Sequence, residues 1–384
     1  MSEGQADQPE GGTISGRPAR PPWGCLGMLA FLILVEGTLG RHDLDFTAPW
    51  HWDWRVSGKL ASKKQAGADV LLFGDSVLKF GVMPKVLQER SRLTAYNFAL
   101  HTGQTSSSYF MLKRVLDAGY RPKALIFDMT PHMFSHMPEE NARLWPELLS
   151  PVECFDLAWT MGSPRFFAST VLASLIPSIK ERHDIRASLL ATVSGKPSPS
   201  RRFEIPTYRR NWKLNDGGQL MPDGDSPPID PAFWARSLYP YWNPNPVNVA
   251  YLDRFLTLAG SASIPVVWLL PPVQPALQDQ TEASGFDADY TRFVERVVER
   301  FPLVSLADAR KSGFEADEFN DGIHLKRPGA LRLSASLGEL LRKVEDRPRW
   351  ARLDAGRPRS VESAIEDVGQ SAVALRGGQL GVRR

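Results

Sequence analysis

Ser76 follows a glycine and an aspartate directly after an apolar run, and far down the chain Asp321 and His324 stand three residues apart. A serine hydroxyl is a weak nucleophile until a base takes its proton, and a carboxylate that holds the base completes the arrangement. A spacing of three lets the Asp321 carboxylate reach imidazole Nδ1, which fixes the tautomer and leaves Nε2 to face the serine. In such a set Ser76 would be the nucleophile, His324 the general base and Asp321 its orienting group. The turn His101-Thr102-Gly103 offers a second part of the site. A glycine there permits close backbone approach, and the amides of Ser76 and Gly103 would hold the oxyanion. No metal or organic cofactor is needed for these steps.

For residues so far apart to meet, the elements around them must form one sheet. Residues 69–73 (DVLLF), 94–100 (TAYNFAL), 124–129 (ALIFDM), 264–270 (IPVVWLL) and 303–306 read as strands, the apolar runs as buried ones. Between and after them, residues 83–90, 106–118, 247–259, 287–301 and 328–344 carry helical periodicity. Strands alternating with helices imply a parallel sheet with helices on both faces, an α/β/α fold. Ligands then lie outside the carboxyl ends of the strands, where Ser76, Gly103, Asp321 and His324 all fall.

The alternation breaks at about 132–245. That stretch has short helical segments at 152–161 and 166–193, then a Pro/Gly/Arg-rich region, and reads as an insertion or cap on the active edge. Its pairs Arg201-Arg202 and Arg209-Arg210 read as a solvated face, with contact to an anionic substrate as the alternative. At the other end, residues 1–22 are polar and Gly/Pro-rich and read as a disordered cytoplasmic leader. Residues 23–40 hold an apolar core that suits a signal anchor or a cleaved signal peptide, and a spanning helix needs roughly 20 residues. Arg17 and Arg20 would stay cytoplasmic, so the expectation is a single-pass membrane protein with its catalytic domain outside, or a secreted or periplasmic one after cleavage. Residues 41–68 read as a linker, in which Trp50, Trp52 and Trp54 pack or stack on sugar. Residues 69–345 form the catalytic domain, and 346–384 read as a disordered tail.

Bulk properties narrow the choice. The chain has 384 residues, 42% hydrophobic residues and 11 Trp, enough for a substantial core. A formal charge of +3 with both signs interspersed does not suggest nucleic-acid binding. Two cysteines, Cys25 and Cys154, make neither a disulfide framework nor a zinc cluster. His132 and His136 lack a third metal ligand.

The blocks DVLLFGDSV and Phe319-Asn320-Asp321-Gly322-Ile323-His324-Leu325, the latter followed by Pro328-Gly329-Ala330, resemble the SGNH/GDSL hydrolase superfamily. The resemblance covers roughly 69–131 and 247–344. It implies a flavodoxin-like three-layer fold and a Ser76-His324-Asp321 triad acting on acyl esters, O-acetyl esters first among them. It also implies the Gly103 amide as an oxyanion donor. The superfamily's asparagine after the third strand is missing, since that stretch reads Phe127-Asp128-Met129-Thr130-Pro131-His132. The Thr130 hydroxyl, or His132, would donate in its place. The export signal and insertion are similar in layout to membrane-anchored members that act in polysaccharide O-acetylation and D-alanyl transfer. An O-acyltransferase of envelope polysaccharide is therefore the alternative to an esterase.

Two rivals use the same residues differently. Ser76-Val77-Leu78-Lys79 is an S-x-x-K tetrad, in which Lys79 would be the base. A catalytically degenerate glycan-binding or scaffold protein would use the tryptophans at 50–54 and the insertion.

Overall fold

The computed structural model describes residues 23–41, 48–63, 67–196, 204–225, 228–342, 349–354 and 365–381. The chain divides into two units, Met1–His42 and Asp43–Arg384. In the first, the helix Trp23–Arg41 exposes Leu26, Phe31, Ile33 and Leu34. Among the described residues no helix is long and apolar enough to cross a membrane. The leader expected at 1–22 lies outside them.

The second unit is built on a six-stranded, all-parallel sheet: β1 (Val70–Phe73), β2 (Ala95–Asn97), β3 (Ala124–Asp128), β4 (Val266–Leu270), β5 (Val304–Asp308) and β6 (Trp350–Arg352), in the order β2-β1-β3-β4-β5-β6. The three-layer α/β/α fold expected from the sequence is the observed one, with the large insertion after β3. Alternation within the strands explains the layers. Leu71 and Phe73 of β1 point into one core with Phe110, Tyr251 and Val294, whereas Val70 and Leu72 point into the other with Val86, Leu333 and Leu337. Because helices cover both faces, β1, β3 and β4 are buried at every position and read as unbroken apolar runs. The chain runs outward from β1 to β2 and then back past β1 to β3. The carboxyl ends of β1 and β3 are thus the switch point, where such folds place their sites.

Two segments differ from expectation. The supposed linker contains the helix Pro49–Ala61, part of the domain's interior. Trp54 is fully buried, edge-on to Trp145 at 5.0 Å, with its indole N–H donating to the His101 carbonyl at 2.9 Å. Trp52 packs against Trp212, so neither ring is available as a sugar platform. Gly58 makes the packing possible, because a Cβ there would lie 2.7 Å from Leu148 Cδ1. The tail contains β6 on the edge of the sheet and the helix Val368–Gly381. Its Glu366 takes Arg210 at 2.7 and 2.9 Å, which pins the tail to the insertion helix Glu204–Leu214. Arg209 lies over the Trp52 ring, and Arg201 and Arg202 fall outside the described residues.

Part of the insertion packs at the end of β2. Gly217 presses against the Asn97 carbonyl beside β2, and the Asp216 carbonyl accepts the Asn97 amide at 2.9 Å. Its helix Pro231–Leu238 and Tyr239 reach the loop that carries Asp321 and His324, and Met221 forms a β-bridge with Lys326 at the end of that loop.

Candidate active site

The position of Ser76 is set by backbone packing. Gly74 leaves β1 so close to β3 that a Cβ would lie 2.5 Å from the Asp128 carbonyl oxygen, and only glycine fits. Asp75 then caps the helix Ser76–Gly81 by accepting the Val77 amide at 2.8 Å. Its second carboxylate oxygen accepts the Thr130 amide at 2.9 Å and also the Thr130 hydroxyl. Ser76 is left half-buried at the first helical position, and among the described residues its amide has no acceptor.

His324 sits on the loop before the helix Arg327–Arg342. Asp321 Oδ1 accepts the amides of Ile323 and His324, both at 2.9 Å, so the loop folds around its own carboxylate. The other oxygen lies 2.8 Å from His324 Nδ1, and His324 Nε2 lies 2.9 Å from Ser76 Oγ. With Nδ1–H donating to Asp321, Nε2 is free to accept the serine hydroxyl. Burial pushes the Asp321 carboxyl up, but the hydrogen bond and charge of His324 and the two loop amides outweigh it and hold the group below the usual range. The Phe80 ring stands edge-on to His324 at 5.5 Å. Gly322 packs under Trp234, where a Cβ would meet the indole at 2.8 Å, and its carbonyl accepts the Gln274 amide at 3.0 Å. The structure thus brings together Ser76, His324 and Asp321.

The expected oxyanion donors fare differently. Gly103 does come close to the nucleophile's strand, and a Cβ there would lie 2.4 Å from the Gly74 carbonyl oxygen. Its amide, however, donates to the Leu100 carbonyl at 3.0 Å within its own turn. Thr130 is fully buried and directs both its amide and its hydroxyl hydrogen to Asp75. Of the anticipated donors, the Ser76 amide and the His132 ring are uncommitted among the described residues.

Sequence reasoning named His132 as a donor but missed Tyr239. Tyr239 is buried with its hydroxyl unpaired. Burial, together with the fields of Asp75, Asp128 and Asp321, holds that phenol well above its ordinary range, so it keeps its proton. His132 stands 6.0 Å from the Tyr239 ring, with Nδ1 enclosed and unpaired. Its pKa is lowered to about 3 by burial and by His136 and His324. His101, stacked on Trp50 at 5.2 Å, is likewise lowered to about 4, by burial and then by His324 and Lys79. No motif flags Tyr239, which lies in the irregular insertion.

Asp128, at the end of β3, is fully buried with neither carboxylate oxygen in a well-formed hydrogen bond. Burial and the neighbouring Asp75 push it far up; the Leu78 and Met129 amides only partly oppose this. Lys79 is committed elsewhere: its ammonium donates to Asp53 Oδ1 at 2.7 Å, both side chains being wholly buried.

His51, Glu147 and Glu181 form a compact group that could hold a metal ion. Lys180 already contacts Glu147 and lies 3.5 Å from Glu181, so an ammonium supplies the positive charge. His136 pairs with Glu140 at 3.2 Å.

No known family model matches the chain, and no curated protein matches it significantly. The likeness to SGNH hydrolases therefore rests on the short blocks around Ser76 and His324.

Proposed function

We propose that this protein is an exported serine esterase of SGNH/GDSL type that acts on acyl esters, O-acetyl esters foremost. The observation that carries the proposal is the unbroken relay from Ser76 Oγ through His324 Nε2 and Nδ1 to Asp321, at 2.9 and 2.8 Å. Ser76 Oγ attacks the ester carbonyl while its proton passes to His324 Nε2. The carbonyl π electrons move to oxygen, and the Ser76 amide donates to that oxyanion. Collapse expels the alcohol, which takes the proton from His324, and leaves Ser76 acylated. Water then attacks with His324 as base, the acid leaves, and Ser76 recovers its proton. Throughout, the ionised Asp321 stabilises the imidazolium.

A second oxyanion donor must come from a group not already engaged, since removal of one such donor typically costs about 10²–10³ in kcat. Among the described residues, the Tyr239 hydroxyl and the Nδ1 atoms of His132 and His101 are enclosed beside the site without a partner. The apolar helix Trp23–Arg41 supports export as part of the same reading, with the folded unit outside the cytoplasm, either anchored or released by cleavage.

The test is incubation with an activated acetyl ester, with and without oligosaccharide acceptors, together with fluorophosphonate labelling. The wild type should release the leaving group and be labelled, and Ser76→Ala should do neither. An unlabelled, inactive wild type would sink the proposal. Acetylated oligosaccharide as the main product would make the enzyme an O-acyltransferase with the same triad.

A further inference from the structure

Three helices of the insertion, Pro151–Met161, Pro164–Leu175 and Arg182–Val193, carry apolar residues on their outer side, and the first two are apolar on the inside as well. The inward positions of the first two are ordinary core: Cys154, Leu157 and Phe166 are buried. Outward, Val152 is 78% exposed, Phe155 55%, Trp159 77%, Leu175 71% and Val193 86%. The spacing of 152, 155 and 159 puts them on one helical stripe, on which Phe155 stacks with Trp159 at 6.0 Å. Phe155 also meets Phe167 edge-on at 5.9 Å, so the first two helices join at this stripe.

Single exposed apolar residues need no explanation, whereas a concentration of them does. Among the described residues of the folded unit, most of the exposed large hydrophobics lie between 152 and 193. A helix with both faces apolar in a water-soluble domain has something to meet.

From this patch and its charges we infer that the three-helix face is an interfacial site for an anionic lipid surface. From Pro151 to Lys196 the sequence has five Lys/Arg against four acids, two of which, Glu153 and Asp156, pair with Arg114 and Arg254. Of those acids, Glu181 is buried in ion pairs with His51, Lys180 and Arg143, while Arg165, Arg186 and Lys196 stand exposed. Apolar and aromatic residues with a basic surround are the composition that settles at a headgroup boundary. A second copy of the chain fits worse, because a two-fold contact would set the same basic residues against each other. The inference rests on the proposed envelope location only in that a bilayer is then within reach, and it does not require Ser76 to react.

The experiment uses the full chain with phosphatidylcholine vesicles, with and without phosphatidylglycerol. Because the N-terminal helix could bind lipid independently, the readout is local: quenching of Trp fluorescence by brominated acyl chains, compared between wild type and Trp159→Phe. A quenched component present in the wild type and missing in Trp159→Phe is expected. Val152→Ser/Phe155→Ser/Trp159→Ser should weaken binding to phosphatidylglycerol vesicles by roughly tenfold or more, with an unchanged circular dichroism spectrum. Equal quenching in wild type and Trp159→Phe would overturn the inference, as would binding indifferent to phosphatidylglycerol. So would a dimer in sedimentation that the serine substitutions dissociate. Fluorophosphonate labelling of Ser76 on the same samples reports on the nucleophile separately.

Discussion

Asp75 receives both hydrogens that Thr130 can donate, the amide at 2.9 Å and the hydroxyl, and so ties the exit of β1 to the exit of β3. The same carboxylate caps the helix that begins at Ser76. One buried side chain therefore fixes where the nucleophile stands relative to the neighbouring strand, and Thr130 serves as its anchor.

Thr130→Val should cost about 1–2 kcal/mol in chemical denaturation, because one hydrogen bond to a buried carboxylate is lost. Turnover should fall with it, and Thr130→Ser should restore both. If Thr130→Val instead lowers kcat by about 10²–10³ at unchanged stability, the hydroxyl is an oxyanion donor after all.

Asp128→Asn tests the buried carboxyl beside Asp75. A carboxyl whose pKa is raised in the folded state contributes stability below its unfolded pKa and loses it as pH rises toward the folded value. Asparagine removes that loss. The variant should be more stable than wild type at pH 7 by about 1–2 kcal/mol, with the gain shrinking toward pH 4. Denaturation at several pH values decides it, and a difference that ignores pH would refute the assignment.

Gly322→Ala should misplace the base loop, since the new methyl would fall 2.8 Å from Trp234 and 3.2 Å from Leu277 Cδ2. A drop in kcat of about tenfold or more is expected, with little change in KM. Trp234→Leu in the same chain should return part of it. An undiminished kcat in Gly322→Ala would show that this contact does not hold His324.

Lys79→Met should destabilise the fold by about 3–5 kcal/mol by stranding Asp53, and Lys79→Met/Asp53→Leu should recover most of that. The double variant should still turn over ester. Complete loss of turnover in a folded double variant would make Lys79 the base.

Burial lowers His101 to about 4 and His132 to about 3 against an ordinary value of 6.5, so the unfolded chain binds their protons more readily. Their contribution to stability is therefore complete above pH 6.5 and falls as pH drops toward 4 and then 3. His101→Phe, which keeps the stack on Trp50, should flatten the pH dependence over that window. An unchanged slope between wild type and variant would contradict the enclosed, neutral ring.

Much of the fold was legible because burial on both faces makes β1, β3 and β4 conspicuous apolar runs. Ser76, Asp321 and His324 were legible because each sits in a short local pattern, and the fold supplies the rest of the encounter. β6 was not, since a three-residue edge strand needs only backbone pairing and leaves no hydrophobic signature in Trp350–Arg352. The donors failed for a related reason. Whether the Gly103 amide or the Thr130 hydroxyl is available depends on Leu100 and Asp75, and residue type alone does not report such a choice. Tyr239, Trp234 and Asp53 reach the site or its supports from segments with no periodicity or motif to mark them.

The Asp53–Lys79 pair also bears on where this domain begins. Lys79 lies one turn beyond the nucleophile, and its only charged contact at 2.7 Å comes from a helix that precedes the first strand. A chain trimmed back to β1 would leave an ammonium without its counter-charge behind the reacting serine, and the Trp54 cavity empty beside it. The smallest autonomous unit therefore starts near Pro49. Any excised catalytic fragment has to carry those residues to be a fair stand-in for the whole.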